Sequence, residues 1–185
     1  MNTTLTKRRW FWPWQDDKEE TWLEEMSAGG WHLQSVGLPW TYTFAQGAAR
    51  PYIYRLDYMY MDKKKLAEYL QIFQDAGWEY LGEMSNWRYW RKPADASGPV
   101  EIFTDNESKI KKYQRALLFL GFLLLILILL AMNLFNGGRA MGGLSSVVDA
   151  IYLFIMLIYA ILIPIYIVVV VKLLIRIRQL RRIAL

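Results

Sequence analysis

The sequence predicts an α+β protein: a duplicated ferredoxin-like antiparallel sheet with two helices on one face, followed by a two-helix transmembrane hairpin. Three observations carry this expectation. Two apolar runs without a charged side chain, Ala116 to Phe135 and Ala150 to Val171, stand in the C-terminal third. A series of strand and helix patterns before them recurs at an offset of 47 positions. Basic residues collect at the outer flanks of the apolar runs, with Arg139 alone between them.

Each unit reads strand, helix, strand, strand, and in the first, about residues 8–54, the helix spans about 17–28. Asp17 and Glu20 have capping-box spacing, and Gly29 and Gly30 supply left-handed conformers for its end. Trp31 to Val36, a turn around Gly37 to Pro39, and Trp40 to Phe44 alternate as a hairpin of half-buried strands does. A third strand, Tyr52 to Tyr60, follows. The second unit, about 55–101, places Leu66, Tyr69, Leu70 and Phe73 at helical spacing over Lys63 to Gln74, and leads through Gly77 into Trp78. The offset puts Leu23 on Leu70, Met26 on Phe73, Gly30 on Gly77, Trp31 on Trp78, Trp40 on Trp87 and Tyr42 on Tyr89. Pro99 to Phe103 closes the series. Neither unit can bury its apolar face alone, so the two share one sheet in a domain spanning 1–104.

Thr104 with Glu107 forms a second capping-box pattern, and neither Pro nor Gly interrupts Asp105 to Leu120. A juxtamembrane helix, 105–115, therefore runs on as one rod into the first transmembrane helix, 116–135. A loop at 136–149, the second transmembrane helix at 150–171 and a basic tail at 172–185 complete the chain. Each apolar run has the roughly 20 residues that cross a hydrocarbon core. Lys109, Lys111, Lys112 and Arg115 precede the first run, and Lys172, Arg176, Arg178, Arg181 and Arg182 follow the second. Lys and Arg in short flanks stay inside, so this is a two-span protein of the cell membrane with both termini cytoplasmic and an extracytoplasmic loop. Lys111, Lys112, Arg115, Lys172, Arg176 and Arg178 are expected to meet lipid headgroups. The formal net charge of +5 is accounted for there, and nucleic acid is not an expected partner.

Catalytic chemistry is not legible. There is no cysteine and one histidine, which excludes disulfides, thiol chemistry and Cys-containing zinc sites. No nucleophile, phosphate-loop or metalloprotease motif occurs, so no catalytic, cofactor or metal residue is assigned and the chain is not expected to be an enzyme. His32 reads as an ordinary strand residue. Glu19, Glu20, Glu24 and Glu25 read as the solvated face of a helix whose apolar side is Trp22, Leu23 and Met26.

Aromatic residues are in excess, nine Trp and twelve Tyr. A sheet covered on one face leaves the other for water, membrane or protein. Tyr42, Tyr54, Tyr58 and Tyr89, with Tyr52 and Tyr60 on the same strand face as Tyr54, form a candidate protein-binding surface; core packing is the alternative. In the second membrane helix Tyr152, Tyr159 and Tyr166 recur every seven residues as a helix-packing stripe, and Pro164 is placed to bend the helix.

The segments Trp22-Leu23-Glu24-Glu25-Met26, Gly30-Trp31-His32-Leu33, Tyr52-Ile53-Tyr54-Arg55-Leu56-Asp57, Gly77-Trp78-Glu79-Tyr80 and Asp105-Asn106-Glu107-Ser108-Lys109 resemble an uncharacterised domain of bacterial, largely Firmicute, membrane proteins. The resemblance covers about residues 7–113. It implies a gene neighbourhood with PadR-type transcriptional regulators, and through it a role in membrane-linked regulation or envelope stress. It supplies no catalytic residues. The expected function is a membrane-anchored regulatory or protein-interaction module, in contact with lipid and with a protein partner or a second copy of itself. Alternatives are an accessory subunit of a membrane transporter or resistance complex, and a membrane-bound enzyme with an unrecognised site.

Overall fold

The computed structural model describes residues 3–59, 63–96, 102, 106–140 and 146–183. The first unit comprises β1 (Thr4–Arg8), α1 (Asp16–Ala28), β2 (Trp31–Gly37) and β3 (Thr41–Gln46). The second comprises β4 (Tyr52–Tyr58), α2 (Lys63–Asp75), β5 (Glu79–Met84) and β6 (Trp87–Pro93). The fold is α+β, as expected, but each unit closes its own antiparallel three-stranded sheet, ordered β1-β3-β2 and β4-β6-β5.

The two units agree in detail. A bulge between Leu33 and Ser35 in β2 recurs between Tyr80 and Gly82 in β5, at the same offset of 47. Gly30 and Gly77, which follow the two helices, both adopt φ of 82°, where a Cβ is strained. At the bulge β2 turns its Leu33 backbone towards the second sheet, so that Leu33 N donates to Tyr54 Oη at 3.4 Å and Arg91 donates to Leu33 O at 3.2 Å.

The main core draws on both units: Trp22 and Leu23 of α1, Leu33, Tyr42 and Phe44 of the first sheet, and Tyr54, Leu56, Met84 and Tyr89 of the second. The opposite face of the second sheet carries Ile53, Tyr80 and Trp90, and there α2 packs Tyr69, Leu70 and Phe73. The two helices therefore lie against opposite faces of the second sheet rather than in one layer, and neither face is open. Trp78 is buried in the α2 cluster, whereas its counterpart Trp31 is half-buried beside the main core. Of the strand expected at Pro99 to Phe103 only Ile102 is described, in a bend against the α2 cluster. Tyr60 and the Thr104 cap lie outside the described residues.

Two long helices follow, α3 (Asn106–Ala140) and α4 (Ser146–Ile183). α3 is unbroken from the domain through the apolar run, as the lack of breakers predicts. The pair also takes in much of the segment read as a loop: α3 continues to Ala140 and α4 begins at Ser146. Both helices are long and apolar enough to cross a membrane, with mean hydropathies of 2.9 and 3.0, and in neither is more than 6% of the most apolar window buried by protein. Leu118, Leu153 and Phe154 are each more than 60% exposed, which hydrocarbon tolerates and water does not.

Candidate functional site

α1 is short and rich in acid, and its polar residues do two jobs that a solvated face does not. As an edge strand β4 presents outward N–H and C=O groups that need partners. Glu20, Glu24 and Ser27 recur at helical spacing along one side of α1 and answer three of those donors in turn. Leu56 N donates to Glu20 Oε1 at 2.8 Å, Tyr54 N to Glu24 Oε1 at 3.3 Å, and Tyr52 N to Ser27 Oγ at 3.4 Å. Arg55 reaches back to Glu24 at 3.0 Å and to Glu20 at 3.6 Å. Glu20 thus serves the edge of β4 and not a capping box; Gln15 is the N-cap of α1, with no side-chain cap bond.

The carbonyls of the same edge are taken from the other side. Lys112 of α3 donates to Leu56 O at 3.2 Å and Arg115 to Tyr58 O at 2.8 Å. Both also find carboxylates in the domain. Lys112 pairs with Asp16 at 2.5 Å, with the side chains only 6% and 4% exposed, and Tyr113 donates to both oxygens of Asp16. Arg115 pairs with Asp57 at 2.9 Å, and the other oxygen of that buried carboxylate accepts from Tyr69 of α2 at 2.7 Å. From α4, Arg176 pairs with Asp17 at 2.9 Å. A small apolar cluster of Tyr58, Ile110, Ala116, Val169, Leu173 and Ile177 backs these contacts. α3 is therefore held to α1 and β4 through a buried charge cluster beside a hollow of about 310 Å³, and α4 joins it through the more exposed Arg176–Asp17 pair and the apolar cluster.

This corrects the lipid-headgroup expectation for three residues. Lys112, Arg115 and Arg176 face the domain because its carboxylates stand within ion-pair distance. Lys111, one position and about 100° round the helix from Lys112, is exposed and pairs with Glu107; Lys172 and Arg178 are also exposed.

The tyrosines expected at an open surface are core residues. Tyr42, Tyr54, Tyr58 and Tyr89 are 1%, 0%, 4% and 1% exposed: α1 and the two sheets close over Tyr42, Tyr54 and Tyr89, and α3 and α4 close over Tyr58. Two of them bind a further acid of α1. Tyr42 and Tyr89 each donate to Glu19 Oε1 at 2.6 Å. Burial pushes the Glu19 carboxyl up to about 7 against the pull of both hydroxyls, and raises both tyrosines. Burial likewise raises Glu20, opposed by Lys112 and Arg55. In the hairpin Tyr152 donates to Leu134 O of α3 at 3.2 Å, Tyr159 is half-buried, and Tyr166 lines a cavity below the domain.

Reading α1 as solvated missed Asp16, Glu19, Glu20 and Glu24. The repeat held a signal for them: their counterparts in α2 are Lys63, Leu66, Ala67 and Gln71, none of them acidic. His32, in β2 as expected, bonds Ala48 O through Nε2 at 2.8 Å. Among the described residues no group of three or more acidic or histidine side chains is placed to hold a metal ion.

Comparison with known proteins places the family. The model described as "Protein of unknown function (DUF2812)" matches residues 15–125, and the chain belongs to that family. No curated protein and no solved structure matches it.

Proposed function

We propose that this chain is a membrane-anchored regulatory module in which the state of the hairpin and the state of the soluble domain are read by one another. The observation that carries this reading is the junction at α1. Asp16, Asp17 and Asp57 hold cations from both membrane helices, and the same helix α1 secures the edge of β4. Asp16 and Asp57 are removed from water, where an unpartnered charge is costly, whereas the Arg176–Asp17 pair is exposed and is backed by the apolar contacts of Val169, Leu173 and Ile177. A shift of α3 against α4 therefore cannot leave α1 and β4 unaffected. A simple tether would need only a flexible linker.

In this reading the domain and basic tail lie on the cytoplasmic side, supported by the basic flanks around each apolar run. The response is passed to a protein partner through the domain. The surface that carries it lies outside the buried tyrosines.

Amide hydrogen exchange on the full chain in nanodiscs of two bilayer thicknesses tests the coupling. Protection at Tyr54 and Leu56 changes with thickness in the wild type and ceases to change in Lys112→Met/Arg115→Met. Protection in the wild type that ignores thickness would leave the hairpin a passive anchor.

A further inference from the structure

Between the domain and the hairpin lies a second cavity, of about 480 Å³. Close-packed interiors leave few voids larger than a water molecule, whereas organic ligands occupy spaces of roughly 300–1,000 Å³. Its upper wall is aromatic, made by Trp10, Trp12, Trp40, Trp87, Tyr42 and Tyr89. Its lower wall is aliphatic and comes from the membrane helices, through Leu120 of α3 and Leu162, Ile165 and Val169 of α4. Trp10, 47% exposed, and Trp40, 38% exposed, contact each other with ring centroids 3.8 Å apart.

The polar lining is one-sided. Asp16 and Glu19 contribute carboxylates, and no lysine or arginine lines this cavity among the described residues. Asp16 is matched by Lys112 and Tyr113. Glu19 accepts from the hydroxyls of Tyr42 and Tyr89, and both converge on the single oxygen Oε1. Arg9 lies over the Phe11 and Trp22 rings at 5.0 Å and is not part of the wall. A carboxylate without a paired cation, in a cavity lined by indole and phenol rings, is an environment that attracts an organic cation. A strongly hydrated ammonium would forfeit too much solvation there; a large, weakly hydrated cation would not.

We propose that this cavity binds a lipophilic organic cation, its charged centre beside Glu19 among the tryptophan rings and its apolar body against α3 and α4. Such a ligand enters from the bilayer interface, where amphipathic cations concentrate and where the aliphatic wall lies. The site needs the hairpin seated on the domain but does not depend on the regulatory reading.

The test uses the full chain in zwitterionic nanodiscs, with tetraphenylphosphonium as cation and tetraphenylborate as its counterpart of equal shape and opposite charge. Equilibrium dialysis, with empty nanodiscs subtracted, gives saturable binding of about one phosphonium per chain and quenching of tryptophan fluorescence. The borate does not saturate. Glu19→Gln, which still accepts from both tyrosines, weakens phosphonium binding about tenfold. Leu162→Trp, which fills the lower wall with Glu19 intact, abolishes it. Absence of saturable phosphonium binding by the wild type overturns the proposal. So does equal binding of the borate, which would mark an unselective apolar crevice. Should either variant fail to fold by near-ultraviolet circular dichroism, the selectivity of the wild type for phosphonium over borate decides alone.

Discussion

α1 and α2 occupy the same place in the two repeats, have the same length and end on glycines of the same conformation. Their apolar residues also agree, since Trp22 and Leu23 fall on Tyr69 and Leu70. They differ in what surrounds that stripe. α2 covers the sheet of its own unit and meets the junction where Tyr69 donates to Asp57 of β4. α1 carries Asp16, Glu19, Glu20 and Glu24, and touches both sheets and both membrane helices. The comparison teaches that duplication supplies the scaffold, while a handful of acidic positions in one copy turns a covering helix into a connector.

Breaking the connector should cost far more than any change in α2. Lys112→Ala strips the buried Asp16 carboxylate of its ion-pair partner and leaves Tyr113 as its hydrogen-bond donor, and stability falls by about 3–5 kcal/mol. Asp16→Leu/Lys112→Met, which removes both charges, recovers most of the loss. Denaturant unfolding followed by tryptophan fluorescence checks this cleanly, because all nine tryptophans precede the membrane helices.

Glu19 sharpens the comparison through pH. Its folded carboxyl sits near 7 against an ordinary value of 4.5. The folded state holds this proton more tightly, so the contribution is fully present below 4.5 and is lost as pH rises through 7. Between those values the change is on the order of 2–3 kcal/mol. Glu19→Gln removes this component from a stability–pH profile. Its counterpart Leu66 has no such group to lose.

Smaller effects follow at the strand edge. Glu20→Ala strips the acceptor from Leu56 N and costs about 1–3 kcal/mol, whereas the equivalent change in α2, Ala67→Gln at an exposed site, stays within about 0.5 kcal/mol. The exposed pair Glu107–Lys111 is smallest, and Lys111→Ala changes the midpoint by less than about 0.5 kcal/mol. Chemical denaturation of all three variants under one condition gives the ranking.

Much of this fold was legible because it is periodic. Alternation located the β2–β3 hairpin, helical spacing located α2, and the repeat related Gly30 to Gly77 and Tyr42 to Tyr89. Facing was harder to read. The spacing of Glu20 and Glu24 is the same whether a helix meets water or the free edge of β4, and only the fold brings that edge within reach. Similarly, the basic flanks mark the ends of the apolar runs, but the phase of α3 decides that Lys112 turns inward while Lys111 does not. The tyrosines were misplaced for a related reason. A single sheet with one helical layer leaves its other face bare, whereas here the tyrosine-bearing faces turn inward and the outer face left open is that of the first sheet, with Thr4 and Thr6 exposed.

The claim that domain and hairpin form one body through α1 is tested most directly by a distance measurement. The chain has no cysteine, so spin labels at Lys18→Cys in α1 and Lys172→Cys in α4, both exposed positions, are unambiguous. Double electron–electron resonance on the full chain in nanodiscs should give one narrow distance distribution, broadened when Lys112→Met and Arg176→Met are added. A broad distribution in the parent, or a narrow one indifferent to the loss of both cations, would contradict the account.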